Sequence, residues 1–373
     1  MSKILLTAVL LLVNGIIHAQ TALPSNTITK IDSFLHAVYT DTLPGASIAV
    51  LQNNRIVFEK SYGVSNTKSK SKITSNTNFN IASLTKQFTA MAILQLAADG
   101  KLSLDDKLNR FFPDMDQRVA NTIMIRHLLT HTSGIIDHYA YADTHLLKHA
   151  HNADVYNAIK DVDSLYFMPG TQFRYSNTGF CLLALIIERA SGMTYKSYMD
   201  HFIFKPAGML YTTVWNENEV IAQPATGYEW DSTQNKFVTS GADEHIFFST
   251  EGDGGIYTSI HDYIQWLQAL HEGKVFSKSI VDKARSIEYF IKKESRLGYG
   301  FGWFVDESSK YKKVYHSGSN GGFRTYSFNM PGQYSIIVFS NRADLDVEAI
   351  VQKINSLLYP DSKPFTPIEV LTT

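Results

Sequence analysis

The sequence predicts an α/β fold, an α+β sandwich in which an antiparallel sheet is built from both chain ends, flanked by helices, with a mostly helical insertion. Three observations predict it. β-rich runs bounded by turn residues stand near both ends, at 46–52 and 55–60 around Asn53-Asn54, and at 314–316, 325–330 and 334–341, the last two joined by Pro331-Gly332-Gln333. Apolar residues at helical spacing lie outside those runs: Ile28, Ile31, Leu35 and Val38 mark a helix over 26–39, and Val347, Ile350, Val351, Ile354, Leu357 and Leu358 mark one over 344–358. Between about 101 and 235, helical patterns and loops dominate.

Residues 1–19 read as a secretory signal peptide, with Lys3, an apolar run over 4–13, and Ile17-His18-Ala19 before Gln20. The apolar run is too short to span a bilayer, and no cysteine stands where a lipid anchor would attach. The expectation is an exported chain, periplasmic or secreted, with one catalytic domain over 20–360 and an extended tail over 361–373 containing Pro364 and Pro367. The hydrophobic fraction of 44% supports a sizeable core, and a formal net charge of −1 gives no electrostatic footprint for nucleic acid or an anionic membrane surface. The single cysteine, Cys181, excludes an internal disulfide and reads as a small core residue within an apolar run.

Pro44-Gly45 ends the first helix, and the hairpin follows. The polar run Ser65-Asn-Thr-Lys-Ser-Lys-Ser-Lys72 reads as a solvated turn. Next comes Asn80-Ile-Ala-Ser83-Leu-Thr-Lys86, which opens a run of good helix formers that Gly100 should close. His127-Leu-Leu-Thr-His131-Thr-Ser-Gly134 is a helical turn, Phe167-Met-Pro-Gly170 a turn, and 178–190 a helix closed at Gly192.

Ser83 and Lys86 stand three positions apart, so they share one helical face. A serine hydroxyl is a weak nucleophile at neutral pH and needs a neighbouring base or cation, a role a buried lysine can fill. A helix N-terminus adds N–H donors for an oxyanion. The motif alone has little specificity. It recurs at Ser65–Lys68 and Ser69–Lys72, where nothing suggests more than a surface turn.

Two further elements follow in order: Tyr175-Ser-Asn177 in a loop of the helical region, and His316-Ser-Gly318 at the end of a strand. Together with Ser83-Leu-Thr-Lys86, they resemble the serine β-lactamase and penicillin-binding-protein superfamily. The resemblance is to its class C β-lactamase, D-alanyl carboxypeptidase and esterase branch. Leu43-Pro-Gly45, the 127–134 segment, Met168-Pro-Gly170, Pro206-Ala-Gly-Met209, Gly254-Gly255, Gly300-Phe-Gly-Trp303 and Gly321-Gly-Phe323 extend it over roughly 26–358. It implies a β-lactamase/transpeptidase-like fold and acyl transfer without a cofactor.

On that resemblance, Ser83 is the expected nucleophile, Lys86 its electrostatic partner, and Tyr175 the general base, as phenolate or through a relay with Lys86. An unperturbed phenol is protonated at neutral pH, so this role needs a nearby cation. Asn177 is expected to accept from Lys86 and donate to a substrate amide. The backbone N–H groups of Ser83 and Ser319 would form the oxyanion hole, with Gly318 giving close access to the strand. His316 replaces a lysine common in β-lactamases; as a neutral group it is expected to orient Tyr175 or a substrate carbonyl by hydrogen bonding.

The loss of that fixed charge, and the lack of an evident deacylation glutamate, favour an ester or a D-amino acid amide or peptide as substrate, including one derived from cell wall. The alternatives are a β-lactamase or D-alanyl-D-alanine carboxypeptidase proper, and a slowly deacylating penicillin-binding sensor. Six histidines crowd one stretch, His127, His131, His138, His145, His149 and His151, with two pairs four apart. No His-Glu-x-x-His motif and few carboxylates accompany them, so a loop at the substrate mouth is preferred to a metal site.

Overall fold

The computed structural model describes residues 23–140, 149–240 and 246–360. Residues 1–19, read as a signal peptide, His145 and residues 361–373, expected as an extended tail, lie outside the described residues.

Eight antiparallel strands form the main sheet: β1 (Ala46–Gln52), β2 (Arg55–Tyr62), β3 (Tyr289–Lys292), β4 (Leu297–Tyr299), β5 (Phe304–Asp306), β6 (Lys313–Asn320), β7 (Phe323–Met330) and β8 (Tyr334–Ser340). Their order is β3-β4-β5-β6-β7-β8-β1-β2. β1 pairs with β8 from Ala46↔Ser340 to Gln52↔Tyr334, and with β2 on its other edge. The sheet expected from both chain ends is therefore present, and β3 to β5 extend it beyond the strands read from the sequence. β1 is buried on both sides, so its residues are apolar almost throughout instead of alternating.

Alternation still sorts side chains by face. Ile48, Val50, Tyr326, Phe328, Ile336 and Val338 share one core cluster with Ile31 and Leu35 of α1 (Ser25–Val38) and with Ile350, Val351 and Ile354 of the C-terminal helix (Val347–Leu358). Ala49, Leu51, Ile337 and Phe339 join the larger cluster on the opposite face. At its centre runs α2 (Thr85–Ala98), buried around almost its whole circumference. Such a helix carries no amphipathic stripe because every side of it meets protein. Gly100 follows it with φ +71°, the left-handed conformation expected at its end. Against α2 lie α3 (Asn177–Ser191) and the short α4 (Glu251–Gly254).

Two local readings change. Ser83 does not open α2 itself. It lies in a preceding 3₁₀ turn, Ala82–Leu84. The polar run at 65–72 is not simply a turn either, since Val64–Asn66 pairs with Ser71–Lys72 and Ser65 is buried. Lys68, Ser69 and Lys72 remain exposed, as a surface ribbon would leave them.

Candidate active site

The turn carrying Ser83 is held from several sides. Ala82 takes φ +49°, a left-handed conformation that costs energy for a residue with a Cβ. Its N–H donates to Asn80 Oδ1 at 2.8 Å. The Thr325 hydroxyl of β7 donates to the Ile81 carbonyl at 2.9 Å. Gly318 of β6 lies so close that a Cβ there would sit 2.5 Å from that same carbonyl oxygen. The absent side chain of Gly318 thus first serves the approach of the Ser83 turn to the sheet.

From the first turn of α2, Lys86 reaches back with Nζ 3.0 Å from Ser83 Oγ, and donates also to the Asp253 carbonyl at 2.8 Å. Lys86 is fully buried, whereas Ser83 is partly open. The expected acceptance of Lys86 by Asn177 is not observed; the Asp253 backbone of α4 takes that place. Asn177 donates instead to the Tyr139 hydroxyl at 3.1 Å, and its Oδ1 is shielded without a partner among the described residues. The Asp253 carboxyl, itself buried, receives the Cys181 thiol at 3.4 Å. Burial raises the pKa of Asp253 above the ordinary carboxylate value, against an opposing pull from Lys86. Cys181 is a buried free thiol, in keeping with a small core residue.

Tyr175 stands over this pair. Lys86 Nζ lies 4.9 Å from its ring centroid, and the phenol oxygen is shielded and has no hydrogen-bond partner among the described residues. Catalytic hydrogen bonds often tighten only once substrate is bound. Behind Tyr175 lies His131, its ring stacked on the phenol. Its Nδ1 accepts the Ser176 N–H at 3.0 Å, which leaves the proton on Nε2. Burial first, then the Lys86 charge, push its pKa well below the ordinary histidine value, so the ring is neutral. Sequence reasoning missed this role. The signal was His131 within the 127–134 segment, read there only as part of a resemblance and of a histidine cluster.

His316 is neutral as expected, since burial and then the Lys86 charge push it down to about 3. Its expected hydrogen bond to Tyr175 is absent. Nδ1 lies 2.7 Å from the Ser317 carbonyl, which can only accept, so Nδ1 carries the proton. Nε2 then accepts from the Tyr299 hydroxyl at 3.2 Å. Both ring nitrogens are engaged; the His316 ring lies 6.0 Å from that of Tyr175, centroid to centroid, and its partner Tyr299 packs against His131 and Phe173. Ser319 is exposed one residue beyond Gly318. β5 pairs with β6 only across 313–315, so among the described residues no strand covers the outer edge of β6 beside Ser319.

The other histidines take separate partners. His127 Nδ1 accepts the Met124 N–H at 3.1 Å, His138 Nδ1 lies 2.9 Å from the Thr178 hydroxyl, and His149 meets the Trp215 ring edge-on. His151 Nδ1 lies 2.7 Å from Glu251 Oε1, which ties α4 to the helix Asn152–Ile159. Among the described residues no group of three acidic, histidine or cysteine side chains is placed to hold a metal ion.

The site holds the Ser83 hydroxyl, the buried Lys86 side chain on it, the Tyr175 ring over Lys86, and Ser319 at an open strand edge. That set can perform acyl transfer. Comparison with known proteins places the chain in a family. The family model described as beta-lactamase matches residues 31–359. Penicillin-binding protein 4* of Bacillus subtilis is 32% identical over 330 residues, covering 84% of this chain and 72% of that protein. The octameric penicillin-binding protein homologue from Pyrococcus abyssi superposes with a TM-score of 0.76 at 28% identity, over 89% of this chain and 77% of that one. The D-amino acid amidase from Ochrobactrum anthropi, solved with D-phenylalanine, shares the fold with a TM-score of 0.71 at 22% identity, over 90% of this chain and 99% of that one.

Proposed function

We propose that this chain, which belongs to the beta-lactamase family, is an exported serine hydrolase that forms an acyl-enzyme on Ser83 from an ester or a D-amino acid amide or peptide. The observation that carries the reading is Lys86 Nζ, held by the Asp253 carbonyl and donating to Ser83 Oγ at 3.0 Å. An ammonium there favours negative charge on Oγ as it attacks. The Ser83 proton passes to Tyr175, acting as phenolate or in relay with Lys86. The Oγ–acyl bond forms, and the tetrahedral oxyanion rests on the Ser83 and Ser319 N–H groups. The proton then moves to the leaving alkoxide or amine as the scissile bond breaks, and water releases the acid by the same path.

The preference for an uncharged reacting end rests on His316. A neutral imidazole with both nitrogens engaged offers no fixed cation to a substrate carboxylate, which a β-lactam or a D-alanyl-D-alanine terminus carries. The D-amino acid amidase, which shares the fold, is named for a substrate class of this kind. Export rests on the 1–19 signal; no described helix is long and apolar enough to cross a membrane.

The test is turnover of p-nitrophenyl esters and D-amino acid p-nitroanilides, with fluorophosphonate labelling, by wild type and Ser83→Ala. Wild type should turn over steadily, and Ser83→Ala should lose labelling and roughly 10⁶-fold in kcat, as removal of a serine nucleophile does. Labelling that survives in Ser83→Ala removes the acyl-enzyme reading. A stoichiometric burst with no steady rate would make the protein a slowly deacylating binder.

A further inference from the structure

Asp253 offers Lys86 more than a carbonyl. Its carboxyl is buried and takes no part in the acyl-transfer path above. It cannot swing away, because α4 is bound on two sides. Towards α2, the Thr89 hydroxyl donates to the Gly252 carbonyl at 2.7 Å, Lys86 Nζ to the Asp253 carbonyl at 2.8 Å, and the Ile256 N–H to the Thr85 hydroxyl at 3.2 Å. Towards the helix Asn152–Ile159, the Gly252 N–H donates to Asn152 Oδ1 at 3.2 Å, and the Glu251 carboxyl holds His151 and the Asn152 N–H.

The surroundings of the Asp253 carboxyl suit an anion. The Cys181 thiol of α3 donates to Oδ1 at 3.4 Å, and the Thr250 hydroxyl bonds the carboxyl as well. Burial raises its pKa, and Lys86, Thr250 and Cys181 pull it back. The histidines, phenols and thiol around this pair are uncharged. Burial, then Lys86, keep His131 and His316 neutral. Desolvation of their hydroxyls keeps Tyr139 and Tyr195 protonated, and burial does the same for the Cys181 thiol. Glu251, which also reaches that thiol, is matched by His151 at 2.7 Å. Tyr175 faces Lys86 from the other side. A buried ammonium is costly without an opposite charge near it, and among the described residues no carboxylate lies within ion-pair distance of Lys86 Nζ. Lys86 pulls on Asp253 through space, and such a pull is mutual.

We propose, resting on the Ser83 acyl-enzyme reading, that Asp253 is a positioning residue of the reaction: its ionised carboxylate is the counter-charge that keeps Lys86 an ammonium against Ser83 Oγ, and it thereby sets the pH range in which Lys86 and Tyr175 work. A negative charge at this place makes a proton on either group harder to remove. Neutralising it lets both leave at lower pH.

The experiment measures kcat/KM for a p-nitrophenyl ester, and the rate of fluorophosphonate labelling, across pH 5–9 in wild type, Asp253→Asn, Asp253→Ala and Asp253→Glu. All three substitutions keep the backbone carbonyl. Labelling reads attack by Ser83 alone, so slow deacylation does not mask the result. The limbs of both profiles should move about one unit towards acid in Asp253→Asn and stay in place in Asp253→Glu, which keeps the charge. Asp253→Ala leaves a void in place of an amide; it should move the limbs as Asp253→Asn does, and it carries the test where Asp253→Asn does not fold. A packing defect alone lowers the rate at every pH and leaves the limbs where they are. Unmoved limbs in a folded neutral variant, or limbs moved as far in Asp253→Glu as in the neutral variants, would overturn the proposal. No labelling of wild type, or labelling that survives in Ser83→Ala, defeats the Ser83 reading and this proposal with it; unmoved limbs in an active, Ser83-dependent protein defeat this proposal alone.

Discussion

The His131 imidazole lies face to face with the Tyr175 phenol, ring centroids 4.2 Å apart and planes inclined by 28°. His131 itself has φ +57° and is pinned through Nδ1 to the Ser176 N–H. A neutral ring locked in this way fixes the phenol's plane without competing for its proton. The residue next to the proposed base and the residue behind it are thus tied by one backbone hydrogen bond.

Replacing that ring separates packing from hydrogen bonding. His131→Phe keeps a stacked ring but leaves the Ser176 N–H without its acceptor, at a cost of about 1–3 kcal/mol. His131→Asn tolerates the left-handed backbone and restores an acceptor, but not the ring. Urea unfolding should therefore rank Asn above Phe, whereas kcat on an ester should fall in both, by about tenfold or more, with KM little changed. Equal kcat in all three proteins would deny His131 a positioning role.

His316→Lys is expected to lower kcat/KM for an uncharged ester on the order of 10²-fold. The ammonium cannot accept from the Tyr299 hydroxyl, and it brings a second cation near Lys86. His316→Gln, which can still accept, should lose less. Profiles across pH 5–9 on that ester are the measurement, and a His316→Lys curve that overlays wild type would remove His316 from the machinery.

Acid should destabilise the fold before it protonates most carboxylates. His316 is held at about 3 and His138 at about 4, both by burial, against 6.5 when unfolded. The unfolded chain binds these protons more tightly, so stability is full above pH 6.5 and is lost as pH falls towards 3–4. At pH 5 each group costs roughly 2 kcal/mol. His151, raised by Glu251, acts in the opposite direction, but it is about 40% exposed and solvent screens it. Denaturant unfolding at pH 7.5 and 5.0 should show a smaller drop in His316→Gln than in wild type; an equal drop would contradict the assignment.

Gly318→Ala places a Cβ 2.3 Å from Thr325 Oγ1 and 2.5 Å from the Ile81 carbonyl oxygen. The backbone cannot yield cheaply, so the Ser83 turn must move off the sheet. A loss of 1–3 kcal/mol in stability, about the cost of overpacking, should accompany a fall in kcat near 10²-fold. Wild-type kcat in a folded Gly318→Ala protein would show that the contact does not set the position of Ser83.

The sheet was legible because its long strands carry apolar runs bounded by turn residues, and the terminal helices because their periodicity is strong. β3 to β5 escaped notice. They are three or four residues long and hold Gly298, too short for any period to show. Ser83 and Lys86 were legible as a spacing, but the left-handed Ala82 has no signature in a run of helix formers. Asp253 and Tyr299 act through a backbone oxygen and a long-range hydroxyl contact. Neither leaves a mark in local sequence, because what they do depends on which distant segments the fold brings beside them.

The pairing of β1 with β8 also has a consequence in time. Gly45 donates to Asn341 Oδ1 across 296 positions, and the Ser83 turn leans on Gly318 and Thr325 from the final stretch of the chain. Closing loops of that length is slow, and contacts of this kind form late. A chain emerging from the ribosome therefore has Ser83 long before it has the wall that positions its turn. Until the last strands arrive, the turn that carries Ser83 has no sheet to rest against.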